Sequence, residues 1–197
     1  MDDEIKSASQ IAQEKIAQMG EATEADRLRW KHVPQGEALG NKYLNEGGDL
    51  VAELKGCDDK ARPYVKEGLE SVLLAGIGLP QNEVAQARGE RALAGLESIK
   101  QDKAALAEVV ANIKNIFDHY TGQGKQQRDQ TYESLKAEYG LKLQQALEQQ
   151  LGSSAGLDIS VETLPQFQEE WRRIEAQMDM QYIGLLDDYK KALKEIK

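Results

Sequence analysis

The string Gly-Gln-Gly-Lys at residues 122–125, within FDHYTGQGKQQRDQTYE (117–133), is the part of this chain closest to a known chemistry. Glycines beside a lysine cradle a phosphate when a strand precedes them and a helix follows, because free backbone N–H groups then point at the anion. Here the preceding residues, through Phe117 and Tyr120, have helical rather than strand spacing. The full G-x-x-x-x-G-K-[ST] spacing is absent: His119 stands at the first glycine position and Gln126 follows Lys125. The dinucleotide glycine pattern is absent too. We therefore read Gly122 and Gly124 as residues that stop one helix before Lys125–Arg128 restart a polar one, and the break at 121–130 is expected as a sharp turn or as a hinge in one longer rod.

Other reactive residue types are sparse. The only histidines are His32 and His119, and neither completes Glu-x-x-His, since Arg29 and Ile116 fill the earlier position. Cys57 is the single cysteine, so no intrachain disulfide forms, and a zinc site would need ligands gathered from afar. The acid pairs Asp58-Asp59, Glu169-Glu170 and Asp187-Asp188 are adjacent residues, which point about 100° apart on a helix and read as solvated faces. No G-x-S-x-G nucleophile motif occurs. No catalytic residue, metal or cofactor is expected. The aromatic residues Phe167, Trp171, Tyr182 and Tyr189 fit a bundle core better than a ligand cavity, though they permit either.

The elements that would position these residues are helices. Charged residues make up 30% and aromatics 6% of 197 residues, with four prolines, a mixture typical of long amphipathic helices. Residues 5–19 place Ile5, Ala8, Ile11, Ala12, Ile16 and Met19 on one stripe. A short helix over Ala25–Lys31 should end before Val33-Pro34. GEALGNKYLNEGG should form another, stopped by Gly47-Gly48, and Asp49 should cap a further turn or two to Leu54. Pro63 suits a helix start, and Val65, Leu69, Val72, Leu73, Gly76 and Ile77 form its broad apolar face.

Asn82 caps the next segment. Ala92, Leu96, Ile99, Leu106, Val110, Ile113, Phe117 and Tyr120 then follow at steps of three and four, interrupted only by Lys103, so one unbroken helix is expected to Tyr120. Tyr132, Leu135, Tyr139, Leu143, Leu147 and Leu151 form a second stripe. Residues 152–162 read as a loop, and Thr163 with Gln166 as a capping box. The last stripe runs Leu164, Phe167, Trp171, Ile174, Met178, Leu185, Ala192 and Ile196, with Gln181 and Asp188 as polar interruptions. The expected fold is all-α: a smaller N-terminal set of short helices (1–80) and long amphipathic helices (81–197), folded back at each break into an antiparallel bundle or hairpin.

The formal net charge of −9 repels polyanions, and the terminal KKALKEIK is explained by the helix dipole, so neither nucleic acid nor a membrane is an expected partner. The longest apolar run, VLLAGIGLP (72–80), falls far short of the ~18 residues that span a bilayer, and MDDEIKSASQ lacks a signal-peptide layout. A soluble cytoplasmic protein is expected.

The stretch IKSASQIAQEKIAQM followed by EALGNKYLNEGGDL resembles the start of a group of uncharacterised bacterial helical proteins, over about the first 80 residues. The resemblance implies a bacterial cytoplasmic origin and no catalytic residue.

Two functions fit these residues. The first is a non-enzymatic assembly or interaction protein, a homo-oligomer or a binder of another protein, because the apolar stripes exceed what a small N-terminal unit covers. The second is a small-molecule-binding or catalytic bundle. Its cavity would lie between the helix of Trp171 and Met178 and the helix of Phe117 and Tyr120, with Lys103, His119 or Gln181 as polar groups. Either way, Phe117, Tyr120, Trp171, Met178 and Gln181 are the candidate interface or pocket residues.

Overall fold

The computed structural model describes residues 22–151 and 160–197. The expected helix at 5–19 and most of the 152–162 loop lie outside them. The described residues are 85% helical, with no strand among them, and the chain divides into two compact units, Met1–Val72 and Leu73–Lys197.

The first unit contains helix α1 (Glu24–Glu46), α2 (Leu50–Gly56) and most of α3 (Arg62–Gly76). Thr23 and Asp26 start α1 with a reciprocal capping box, and Asp49 caps α2 by accepting from the N–H groups of Val51 and Ala52. Arg62 ties α2 to α3, its guanidinium donating to the carbonyls of Leu54 and Cys57 at 2.9 and 3.0 Å.

The expected stop before Pro34 does not occur: α1 runs through the proline for 23 residues. Packing outweighs the hydrogen bond that proline removes. Gly36 and Gly68 let the α1 and α3 backbones touch, and Gly40 admits the Val72 side chain. A methyl on Gly36 would fall 1.9 Å from the Val65 carbonyl oxygen, and one on Gly68 2.1 Å from that of Val33. Pro34 itself is exposed. The proline therefore sits one turn or less from the helix crossing that holds α1 straight on through it.

The second unit contains α4 (Glu83–Ile99), α5 (Lys103–Thr121), α6 (Gln123–Leu151), a 3-10 turn (Val161–Thr163) and α7 (Pro165–Glu195). Asn82 caps α4 as expected, accepting from the Ala85 N–H at 2.8 Å. The continuous helix expected from Asn82 to Tyr120 is interrupted at residues 100–102. There the N–H groups of Gln101 and Asp102 donate to the Lys197 carbonyl at 2.7 and 3.1 Å, and the buried Lys100 ammonium donates to the Ile196 carbonyl. The end of α7 thus takes donors that a continuous helix would have used itself, and Asp102 caps a new helix. Lys103, the polar intrusion in the stripe, is the first residue of that helix.

Of the sharp turn and the hinge left open at Gly122-Gln123-Gly124, the chain has the hinge. Residues on both sides belong to one long bent helix, so the chain does not fold back there. Gly122 leaves helical geometry (φ −94°, ψ −98°), but its N–H still donates to the Asp118 carbonyl and its carbonyl accepts from Gln126. The Tyr120 carbonyl beside the break accepts from Arg128 at 2.9 Å. The reversal comes only between Leu151 and Pro165, and α7 then runs antiparallel along α6 and α5. It passes Tyr139 and Tyr132 near its start, His119 at its middle and Lys100 at its end.

The expected Thr163 capping box does not form either. The Thr163 hydroxyl donates to the Ser160 carbonyl at 2.7 Å inside the 3-10 turn, and Leu164 is the N-cap, followed by Pro165. Lys136 clips this turn onto α6 through Glu162 at 2.6 Å.

The core follows the stripe through α4 and α5: Ala92, Leu96, Ile99, Leu106, Val110, Ile113, Phe117 and Tyr120 are all buried. On α7 the buried positions are Phe167, Asp179, Leu186 and Leu193, and Leu185 is 51% exposed.

Candidate functional site

Beside this core lies a groove of 610 Å³ between the bent helix and α7. On α5 its wall is the face next to the buried stripe. Asn112 precedes Ile113, Ile116 precedes Phe117, and His119 precedes Tyr120, so three of the four α5 groove residues are one position before a core residue, and Asn115 is the fourth. Beyond the bend, α6 adds Gly124 and Gln127. The opposite wall is α7, from Ile174 through Met178, Gln181 and Leu185 to Tyr189. Those α7 positions recur at helical spacing, which places them on one side of the rod.

All thirteen lining residues are uncharged in a chain with 30% charged residues. Ile116, Ile174, Met178 and Leu185 supply apolar surface, while Asn112, Asn115, Gln127, Gln177 and Gln181 supply amides that donate and accept. His119 Nδ1 is hydrogen-bonded to the Tyr182 hydroxyl at 2.9 Å across the groove. The groove spans sixteen α7 residues, Ile174 to Tyr189, about 22 Å of helix.

Tyr182 reaches this position because of Gly124. A methyl there would lie 2.5 Å from the Tyr182 hydroxyl. The Gly-Gln-Gly-Lys string therefore serves packing: its second glycine admits an aromatic ring against the bent backbone. Tyr182 also meets Tyr120 edge-on, with ring centroids 5.1 Å apart.

Behind the groove, the bend is set by polar groups. The Arg128 guanidinium lies 3.8 Å over the Tyr120 ring, and Gln81 donates to the buried Asp179 carboxylate at 3.1 Å. The Tyr120 hydroxyl lies beside Asp179 and Gln81. Burial pushes its pKa up to about 12, with Arg128 opposing the shift and Asp179 adding to it.

The candidate residues named from sequence fall in three places. Met178 and Gln181 line the groove, together with His119. Phe117 and Tyr120 are core. Trp171 packs edge-on against Tyr132 at 5.0 Å, farther along α6, where Tyr132 and Tyr139 also meet Phe167. Lys103 bonds to the Glu97 carbonyl at the α4–α5 joint, away from the groove. Sequence reasoning missed Asp179 and the amides other than Gln181. Asp179 lies one residue from Met178, outside the apolar stripe, and the amides looked like ordinary helix surface. Among the described residues no group of three or more His, Cys, Asp or Glu is placed to hold a metal ion. None of the described helices is long and apolar enough to cross a membrane.

An all-α chain with a neutral groove along a bent helix defines a class of architecture but no activity. Residues 51–195 match the family described as "Family of unknown function (DUF6657)", and the chain belongs to that family. No curated protein and no solved structure matches it.

Proposed function

We propose that this chain is a non-enzymatic binding protein whose groove receives one slender, uncharged organic molecule. The observation that carries this reading is the absence of any Asp, Glu, Lys or Arg among the thirteen groove residues. A charged ligand would leave its solvation without a counter-charge there, whereas a neutral chain meets apolar side chains and amides together. The volume lies within the usual range of ligand sites, about 300–1,000 Å³.

The test is a titration with the neutral dye N-phenyl-1-naphthylamine beside its anionic relative 1-anilinonaphthalene-8-sulfonate. The neutral dye should bind at one per chain with a rise in fluorescence, and the anionic one much more weakly. Leu185→Glu, at a half-exposed position on the groove wall, should abolish the neutral dye's signal while leaving the helical circular dichroism unchanged. Equal binding of both dyes, or binding indifferent to Leu185→Glu, would refute the reading.

Self-association is a second reading, favoured by Met180 (69% exposed) and Ile183 (45%) on the α7 face away from the groove. It predicts an oligomer in light scattering that Ile183→Lys dissociates. A monomer at all concentrations contradicts it.

A further inference from the structure

Five amides line the groove: Asn112 and Asn115 on α5, Gln127 on α6, Gln177 and Gln181 on α7. None of their side chains is hydrogen-bonded to another group among the described residues. Exposed amides elsewhere do find protein partners, as Gln86 does on Glu90 and Gln144 on Glu148, each one turn further on. Each groove amide therefore keeps two N–H donors and a carbonyl acceptor for whatever lies beside it. On α7 the amides alternate with apolar residues, in the order Ile174, Gln177, Met178, Gln181, Leu185. Gln177 and Gln181 are separated by about 6 Å along the helix, as are Ile174 and Met178. In an extended peptide chain the groups that face one side recur every two residues, about 6.6 Å. The α7 wall, about 22 Å long, is roughly the length of six or seven extended residues.

We infer that the ligand is a stretch of extended peptide chain with uncharged side chains. Its backbone N–H and C=O groups pair with the groove amides, and its apolar side chains lie against Ile116, Ile174, Met178 and Leu185. The inference rests on the groove reading above and names the class of molecule within it. Helical walls have no free backbone edge to pair a peptide, so side-chain amides take that role. A plain hydrocarbon chain would take the amides out of water with nothing to bond them. A glycan would pair with the amides but set hydroxyls against the four aliphatic side chains. A peptide backbone carries donors and acceptors in turn along its length, and its alternate side chains supply the apolar contacts. No lining residue carries a charge to meet a terminal ammonium or carboxylate, so the bound stretch is internal to a longer chain.

The test is displacement of N-phenyl-1-naphthylamine from the full chain. The competitors are a capped hexapeptide of alternating serine and leucine, its relative with ester oxygens in place of the leucine N–H groups, decan-1-ol and maltohexaose. The hexapeptide should displace the dye at the lowest concentration, and the ester relative should need about tenfold more, because its donors are gone. The Gln177→Leu/Gln181→Leu double variant, with its helical circular dichroism retained, should narrow the gap between hexapeptide and decan-1-ol by about tenfold. Equal displacement by peptide and ester, an unchanged gap in the double variant, or stronger displacement by decan-1-ol or maltohexaose would overturn the peptide and leave the groove reading standing. A dye that fails to bind at one per chain would overturn both.

Discussion

At the scale of single residues, two positions make the bend and its neighbouring groove. Gly124 leaves no room for a side chain beside Tyr182, so Gly124→Ala should cost about 1–3 kcal/mol, measured by urea denaturation, through displacement of a ring that also closes the groove. Tyr120 has a proton-linked signature. Its folded pKa of about 12 exceeds the ordinary value of 10.0, so the folded state keeps the phenol proton where the unfolded state has lost it. The stabilising contribution of the neutral phenol is complete below pH 10 and is lost as pH rises toward 12. Tyr120→Phe should be less stable than the parent at neutral pH, because Asp179 and Gln81 lose a partner, and the difference should shrink above pH 10. A difference constant across that window would contradict the burial of this hydroxyl.

At the scale of elements, the α1–α3 crossing and the joints of the long helices decide the fold. Gly36→Ala would drive a methyl into the Val65 carbonyl and should destabilise the first unit by about 3 kcal/mol or more, seen as an early transition in thermal denaturation. Pro34→Ala should do the opposite, since α1 already passes through that position as a helix. Restoring the N–H should raise stability by about 1–3 kcal/mol. The period of the apolar residues made most helices legible in the sequence, and Asn82, Asp49 and Gly47-Gly48 marked three ends correctly. The errors share one cause. At Pro34 and at Lys100–Asp102, local residue chemistry was outweighed by a distant partner, the Val65–Leu69 backbone and the Lys197 carbonyl, and at Gly122–Gly124 the choice between turn and hinge was left open. Nothing in the local sequence records such contacts.

At the scale of the whole molecule, the sequence expectation of surplus apolar surface is reduced. The α4–α5 stripe is buried within the chain itself, and what remains half-covered on α7 lines a groove. Only part of that site was legible. Met178, His119 and Gln181 stood out as polar or apolar residues on a stripe, but the neutrality of the groove became visible only when α5, α6 and α7 were brought together. Five amides scattered over 70 residues have no pattern along the chain. The measurement that bears most directly on the account is methyl-resolved NMR of the full chain titrated with N-phenyl-1-naphthylamine. The account predicts that the methyl signals of Ile116, Ile174, Met178 and Leu185 shift together and saturate at one dye per chain, while those of Leu93 and Leu96 in the core and Met180 and Ile183 on the outer face stay in place. Shifts centred on Met180 and Ile183, or no shift at the four groove methyls, would contradict it.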